Sequence, residues 1–370
     1  MTPKRPNGAG AVPKTVDSPA PKQNESVPLY AALDLGTNSC RMLVARPKGA
    51  QFEVVDSFSK SVQLGSGLEA SGRLSRGSIA RTVQAMRICQ KKLRRHNVKR
   101  MRLVATEACR RASNGNELIA RVKRETGLKL EIIPAQEEAR LAVISCAPLM
   151  SHKTEQLLVV DIGGGSTELV WLDVAHLRKS ERKQAIMQVS HGFRKGQMRE
   201  GKARIVDWIS VPLGVATLRD QFMDVDDDAA RFALMSWFFE EKLADFAPYI
   251  SEHVREGFQI IGTSGTVTTV AASHLNLRRY DRNKVDGLQM TSDEIDAVIQ
   301  DYLALGPAGR RADPRIGKDR QALIMSGAAI LQALLRIWPT DKLSVADRGL
   351  REGLLYALMS ADGVLIDEAD

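Results

Sequence analysis

Cysteine is scarce in this chain of 370 residues, and the four present, Cys40, Cys89, Cys109 and Cys146, form no C-x-x-C pair. That spacing excludes a disulfide framework and a zinc ribbon, and reads as buried thiols of a reducing compartment. Aromatic residues are only 5% of the chain. No zinc finger, RNP-type aromatic pair or other reader motif accompanies them, so no specific nucleic-acid partner is expected. No apolar segment follows the basic N-terminus, which argues against a secretory signal. The longest uncharged run of note, 321–335, falls short of the ~20 residues of a membrane span and contains Ser326 and Gly327. These absences together predict a cytoplasmic protein without a membrane partner.

What is present is ordinary globular composition with a basic excess. A hydrophobic share of 44% and a charged share of 26% exclude wholesale disorder, and the length suits two domains. The net charge of +9 calls for an anionic partner, whether nucleic acid, membrane surface or polyanionic substrate. Residues 1–28 are rich in proline and poor in large apolar side chains, the composition of a disordered tail.

Order starts at Leu29. An apolar run to Leu35, the polar turn Gly36-Thr37-Asn38-Ser39 and a second run from Cys40 to Ala45 describe a β-hairpin. The same pattern returns at Leu157–Ile162, Gly163-Gly164-Gly165-Ser166 and Glu168–Leu172. Asp34 matches Asp161, Gly36 matches Gly163 and Ser39 matches Ser166, all at an offset of 127. One offset across a whole strand–turn–strand unit points to a duplicated domain. The expected division is a first half over 29–136 and a second over 137–351, with the terminal helix 352–370 packing back on the first. A helix is expected over 117–125, a strand over 129–133, and another helix from about Gln136. Residues 176–204 interrupt the pattern with nine Lys or Arg against two Glu and read as a basic insertion.

A third turn, Gly262-Thr263-Ser264-Gly265-Thr266, also follows an apolar strand. Turns of this kind suit phosphate, because glycine lets the backbone come close and aim several N–H groups at one anion. Ser and Thr hydroxyls, including Thr167, add donors. The two hairpins each end a strand on an acid, Asp34 and Asp161. A carboxylate beside a phosphate cradle repels the ligand unless a cation lies between, and Mg²⁺ bridges carboxylate and phosphate while keeping several waters.

The segments Ala32–Ser39, Glu137-Glu138-Ala139-Arg140, Val160–Leu169 and Gly262–Thr266 together resemble the Ppx/GppA phosphatases of the actin-like ATPase superfamily. The resemblance runs from about residue 29 to the end. It implies an α/β fold of two ribonuclease H-like domains around a cleft. It further implies an exopolyphosphatase that removes terminal phosphate processively from inorganic polyphosphate, with cleavage of pppGpp to ppGpp as a second activity, with Mg²⁺ and as a homodimer. Glu138 then corresponds to the catalytic base, Glu168 to a second functional acid and metal ligand alongside Asp34 and Asp161, and Arg110 to an arginine near the transferred phosphate. Glu137 is left to complement the dipole of its helix's first turn. The chain has Ala135 and Gln136 where many members have glycine, and it lacks any His-Asp dipeptide, so a short form without the HD-type domain is expected. A kinase of the same superfamily and a non-catalytic actin-type scaffold are the alternative functions. A long polyphosphate also needs cations beyond the cleft, and Arg194, Lys195, Arg199 and Lys202 of the basic stretch are the expected track.

Overall fold

A computed structural model of the chain describes residues 28–196, 200–250 and 256–365; all of the proline-rich tail but its last residue, and the end of the terminal helix expected over 352–370, lie outside these. The chain forms two mixed sheets. The first contains β1 (Tyr30–Leu35), β2 (Ser39–Lys48), β3 (Gln51–Ser61), β4 (Arg100–Ala105) and β5 (Glu131–Ile132), in the order β3-β2-β1-β4-β5. The second contains β6 (Gln156–Ile162), β7 (Thr167–Asp173), β8 (Arg204–Val211), β9 (Phe258–Thr263), β10 (Gln289–Met290) and β11 (Leu343–Ala346), in the order β10-β11-β9-β6-β7-β8. Apart from β10, the second order repeats the first: two antiparallel steps outward from β6 and two parallel steps the other way, as around β1. This is the ribonuclease H-like arrangement twice over. The duplication thus extends from the hairpin to the whole sheet, while the 127-residue offset holds for the hairpin alone.

Alternation along the strands decides which side each sheet buries. Leu33, Leu35, Met42 and Val44 pack against the helices Arg76–Arg95 and Gly115–Thr126. The neighbouring positions Tyr30, Ala32, Leu43 and Ala45 face the helix Leu350–Ala361 and Leu141. In the second sheet Leu158, Val160 and Trp171 meet a large helical layer that includes Gly265–His274 and Ile324–Ile337. Leu157, Val159 and Val170 meet Ala139, Ala142, Val143 and Cys146. The helix Ala135–Cys146 is therefore shared by both sheets, and it is buried from Ala139 to Cys146 on every side, as such a position demands.

Two local expectations change. The 115–126 helix begins at Gly115, two residues early, with the Glu117 N–H already donating to the Asn114 carbonyl (3.1 Å), and Gly115 packs so tightly on Cys109 that a Cβ there would overlap its carbonyl. Only Glu131–Ile132 of the strand expected over 129–133 pairs, with Val104 and Ala105. The helix Leu350–Ala361 crosses the Ala135–Cys146 helix at Gly353, where an added Cβ would overlap the Leu141 carbonyl, 2.8 Å from its carbon. Gly353→Ala should therefore lower stability by about 1–3 kcal/mol or more through overpacking. A drop in the urea midpoint at unchanged m-value would show it, and an unshifted midpoint would mean that the two helices are not held at this distance.

Candidate active site

Both hairpin turns close in the same way. The Gly36 N–H donates to the Ser39 carbonyl (3.0 Å), and the Gly163 N–H donates to the Ser166 carbonyl (2.9 Å). That bond uses the first N–H of each turn and leaves those of Thr37–Ser39 and Gly164–Ser166 as the candidate donors. β1, β4, β6, β9 and β11 end at one edge, with Leu35 beside Ala105 and Asp161 beside Thr263; ligands of such sheets sit beyond the carboxyl ends of the strands. The two turns abut there. A Cβ on Gly164 would lie 3.4 Å from the Asn38 nitrogen, and one on Gly165 would collide with the Thr37 hydroxyl and lie 3.2 Å from Glu107 Cγ. Glycine at both positions is the condition for this approach.

The turns enclose a cavity of about 170 Å³ whose wall includes Gly36–Ser39, Gly163–Ser166, Thr263–Thr266, Asp34, Asp161 and Glu138. So Gly36, Thr37, Asn38 and Ser39 face Gly163, Gly164, Gly165 and Ser166 across one space. Two expected phosphate donors are not on its wall. Gly262 lies inside β9, buried in the sheet, because the strand runs on through Thr263. Thr167 opens β7, and its hydroxyl donates to the Leu213 carbonyl (2.7 Å). The third turn is also partly spent: Ser264 Oγ accepts the N–H groups of Thr266 and Val267 (3.0 Å each), capping its own helix.

Glu138 sits in the first turn of the shared helix at the cavity wall, with its side chain only 12% exposed. Arg110 does not reach the wall. Its Nη1 donates to Glu138 Oε2 (2.6 Å) and to the Ile133 carbonyl (3.0 Å), and its other nitrogens hold Glu107 Oε2 (2.8 and 3.1 Å). Burial pushes the Glu138 carboxyl well above its usual range, and repulsion from Glu168 adds to it; the attraction of Arg110 opposes both without winning.

The repeat explains the remaining acids. Asp34 lies across its hairpin from Arg41, whereas Asp161 lies across its own from Glu168, which is Arg41 displaced by the same 127 residues. One unit pairs an acid with a cation, the other an acid with an acid. Like charges facing across a ladder repel. Burial first, then neighbouring carboxylates, push Asp161 up to about 8 and Glu168 to about 7. Burial also raises Asp34, against the pull of Arg41. Glu168 lies behind the wall with Oε1 accepting from Ser210 Oγ (2.8 Å). Its Oε2 and Asp34 Oδ1 are buried with no hydrogen-bond partner within 3.5 Å among the described residues. Orphaned carboxylate oxygens beside anion-binding turns fit a hard divalent cation. Among the described residues no three His, Cys, Asp or Glu side chains form a ready-made metal cage, so Asp34, Asp161 and Glu168 do not converge as one three-carboxylate site.

Sequence reasoning missed the cations of the cavity. Arg41, Arg320, Arg348 and Arg351 line it. Arg348 is held by Asp286 (2.8 and 2.9 Å). The guanidinium of Arg320 lies against Gly265, where any Cβ would overlap it, and burial, then Arg41, lowers it to about 10. Arg41 alone carried a signal, its place in the repeat.

Glu137 does more than face a helix dipole. It accepts from Arg140 (2.7 and 2.9 Å) and Arg102 (2.8 Å), and lies 2.9 Å from His191 Nδ1. Burial would raise this carboxyl, but those partners hold it at about 2. With Gln136 donating to the Phe193 carbonyl (2.6 Å), it ties the basic stretch to the helix of Glu138. Within that stretch Lys179–Met187 is a helix. Lys195 is paired with buried Asp207 (2.6 Å) and Lys202 donates to Gln188 (2.6 Å). Arg194 is exposed, and Arg199 lies outside the described residues.

The sequence model of the Ppx/GppA phosphatase family matches residues 43–362. The chain is 28% identical to the guanosine-5'-triphosphate,3'-diphosphate pyrophosphatase of Aeromonas salmonicida over 90% of its own length and 60% of that protein's. It is 24% identical to the protein of that name in Photobacterium profundum, over 92% and 61%. It thus spans about three fifths of these curated relatives. A crystal structure of the Aquifex aeolicus Ppx/GppA family member superposes with a TM-score of 0.71 at 28% identity, covering 90% of this chain and 98% of that one. An exopolyphosphatase structure from Cytophaga hutchinsonii, 22% identical, shares the fold with a TM-score of 0.74 over 92% of this chain and all of that one. No helix among the described residues is long and apolar enough to cross a membrane.

Proposed function

We propose that this chain, which belongs to the Ppx/GppA phosphatase family, hydrolyses the terminal phosphoric anhydride of a phosphate chain, either inorganic polyphosphate or pppGpp. The observation that carries this is the meeting of two equivalent glycine turns on one cavity whose wall also bears Glu138, a largely buried carboxylate held by an arginine. The N–H groups of Thr37–Ser39 and Gly164–Ser166 hold the last phosphates, and Arg41 and Arg320 neutralise them. Ionised Glu138 orients a water and takes its proton as the water oxygen bonds to phosphorus. The P–O bond to the preceding phosphate breaks, and that phosphate leaves with the electron pair. Positioning and fixed charge supply most of the acceleration in such transfers. Asp34 and Asp161, on the cavity wall, are the residues that would hold Mg²⁺, with Glu168 behind them, and its charge would offset that of carboxylates and phosphates together.

The direct test is phosphate release from long polyphosphate, pppGpp and ATP, with and without Mg²⁺. Release from the first or second in preference to ATP supports the proposal, while ATP-dependent transfer to an acceptor without free phosphate would make the chain a kinase. If the basic stretch is a substrate track, replacing Arg194, Lys195, Arg199 and Lys202 by Ala raises KM for long chains only. A symmetric homodimer in the cytoplasm completes the proposed setting.

The metal proposal has a stability readout. Folded Asp161 and Glu168 keep protons up to about pH 8 and 7, whereas unfolded carboxylates release theirs near pH 4. The folded state therefore binds more protons across that window, and stability is lost as pH rises from about 4 to 8. Mg²⁺ relieves the same repulsion, so a saturating amount should raise Tm by about 3–6 °C at pH 8 and far less at pH 5. Equal shifts at both pH values would place the ion elsewhere.

A further inference from the structure

The densest basic segment of the chain is not 176–204. Residues 73–102 hold eleven Lys or Arg and no Asp or Glu, a charge larger than the whole protein's net +9. Most of it lies on the helix Arg76–Arg95. That helix buries Ile79, Val83, Met86 and Leu93 against the first sheet, which directs the charged positions outward. At ~100° per residue, Arg76, Arg81, Arg87, Lys91, Arg94 and Arg95 fall within an arc of about 140°. Arg87 is paired with Glu125 (2.8 Å). Arg76, Arg81, Lys91, Arg94 and Arg95 are exposed, and none has a carboxylate within ion-pair distance among the described residues.

The register fixes where this face leads. β3 ends with Ser61 opposite Ser39 of the first phosphate turn, so the chain enters the helix from the cleft edge. Val62 and Gln63 donate to the Asn38 carbonyl (2.9 Å each), and Gly65 donates to that of Thr37 (2.9 Å). Arg81 in turn donates to the Val62 and Gln63 carbonyls (3.0 and 3.3 Å). Only one short loop separates Arg81 from the turn that takes the substrate. The far end leads to β4, whose Arg100 lies beside Tyr30, the start of β1. The helix therefore runs from the cleft to the opposite edge of the sheet, about 30 Å.

We propose that this helix face is a docking rail for the part of a long phosphate chain that extends out of the cavity. The proposal rests on the phosphate-chain reading of the cleft. A cavity of about 170 Å³ holds only terminal units, and one loop beyond its first turn lie Arg81 and the cations of the helix, on which a linear polyanion leaving the cavity on that side can settle. A sequence-independent row of cations suits a repeating phosphate better than a base-reading surface.

The test is the fourfold variant Arg76→Gln, Lys91→Gln, Arg94→Gln and Arg95→Gln. Glutamine preserves helix propensity, and Arg81 is spared because it also holds the loop. Expected is a rise of about tenfold or more in KM for long-chain inorganic polyphosphate, with kcat and the KM for tripolyphosphate unchanged. The slope of log KM against log salt should fall by about 3, from four lost contacts. Equal losses on both substrates, or no loss on either, overturn the rail. So does loss of single-stranded RNA binding with an unchanged polyphosphate KM, which would give the face to nucleic acid. Filter retention of long polyphosphate by parent and variant separates this proposal from the hydrolase reading: retention that depends on the four cations, without phosphate release, keeps the rail and sinks the hydrolase.

Discussion

Glu138→Gln should lower kcat for phosphate release by about 10²–10⁴-fold, the usual contribution of a general base, with KM changed only a few-fold. The amide matches the carboxylate in size and keeps an oxygen for the Arg110 Nη1 that now lies 2.6 Å away. The cavity and its turns are left as they are, so the phosphate chain still binds. What is lost is the ability to take a proton from water. Arg110 retains Glu107 as a counterion, which limits structural damage. Steady-state kinetics on polyphosphate and pppGpp, with thermal melts as a folding control, separate the outcomes. A variant turning over at the parental rate would remove Glu138 from the chemistry and pass the role to Glu168, whose buried Oε2 has no hydrogen-bond partner among the described residues.

The fold was unusually open to sequence reasoning because it is built twice. Two strand–turn–strand units at a fixed offset locate both sheets, and glycine at Gly164 and Gly165 is enforced by the contact between the units. The turns themselves are local, so Thr37, Ser39 and Ser166 could be placed from their neighbours. The cationic part of the site was not legible. Arg320, Arg348 and Arg351 reach the cavity from segments more than 150 residues beyond the second turn, and nothing in their local pattern distinguishes them from solvated arginines. Gly262 misled because glycine within a buried strand looks like the start of the turn two residues later.

Arg110→Met is expected to be nearly as damaging at neutral pH, about 10²-fold or more in kcat, and to betray its cause in the pH profile. The resemblance places this arginine near the transferred phosphate, but here the guanidinium is spent on Glu138, Glu107 and the Ile133 carbonyl. Burial and Glu168 already raise the Glu138 carboxyl, and Arg110 is the nearest charge that opposes them. Removing it raises the carboxyl further. Each unit of rise costs tenfold in the ionised fraction below the new value, so the base is increasingly protonated at pH 7. The acid limb of the kcat profile must then move to higher pH, and activity should partly return as the pH is raised. Arg110→Lys keeps the charge but not the forked contacts, and should move the limb less. Leaving Glu107 and Glu138 without their shared cation also costs stability, about 3–5 kcal/mol for a broken buried pair, so melting curves accompany the kinetics. If the methionine variant instead loses activity by one factor at every pH, Arg110 acts on the phosphate itself, and the contact with Glu138 is a resting arrangement that substrate displaces.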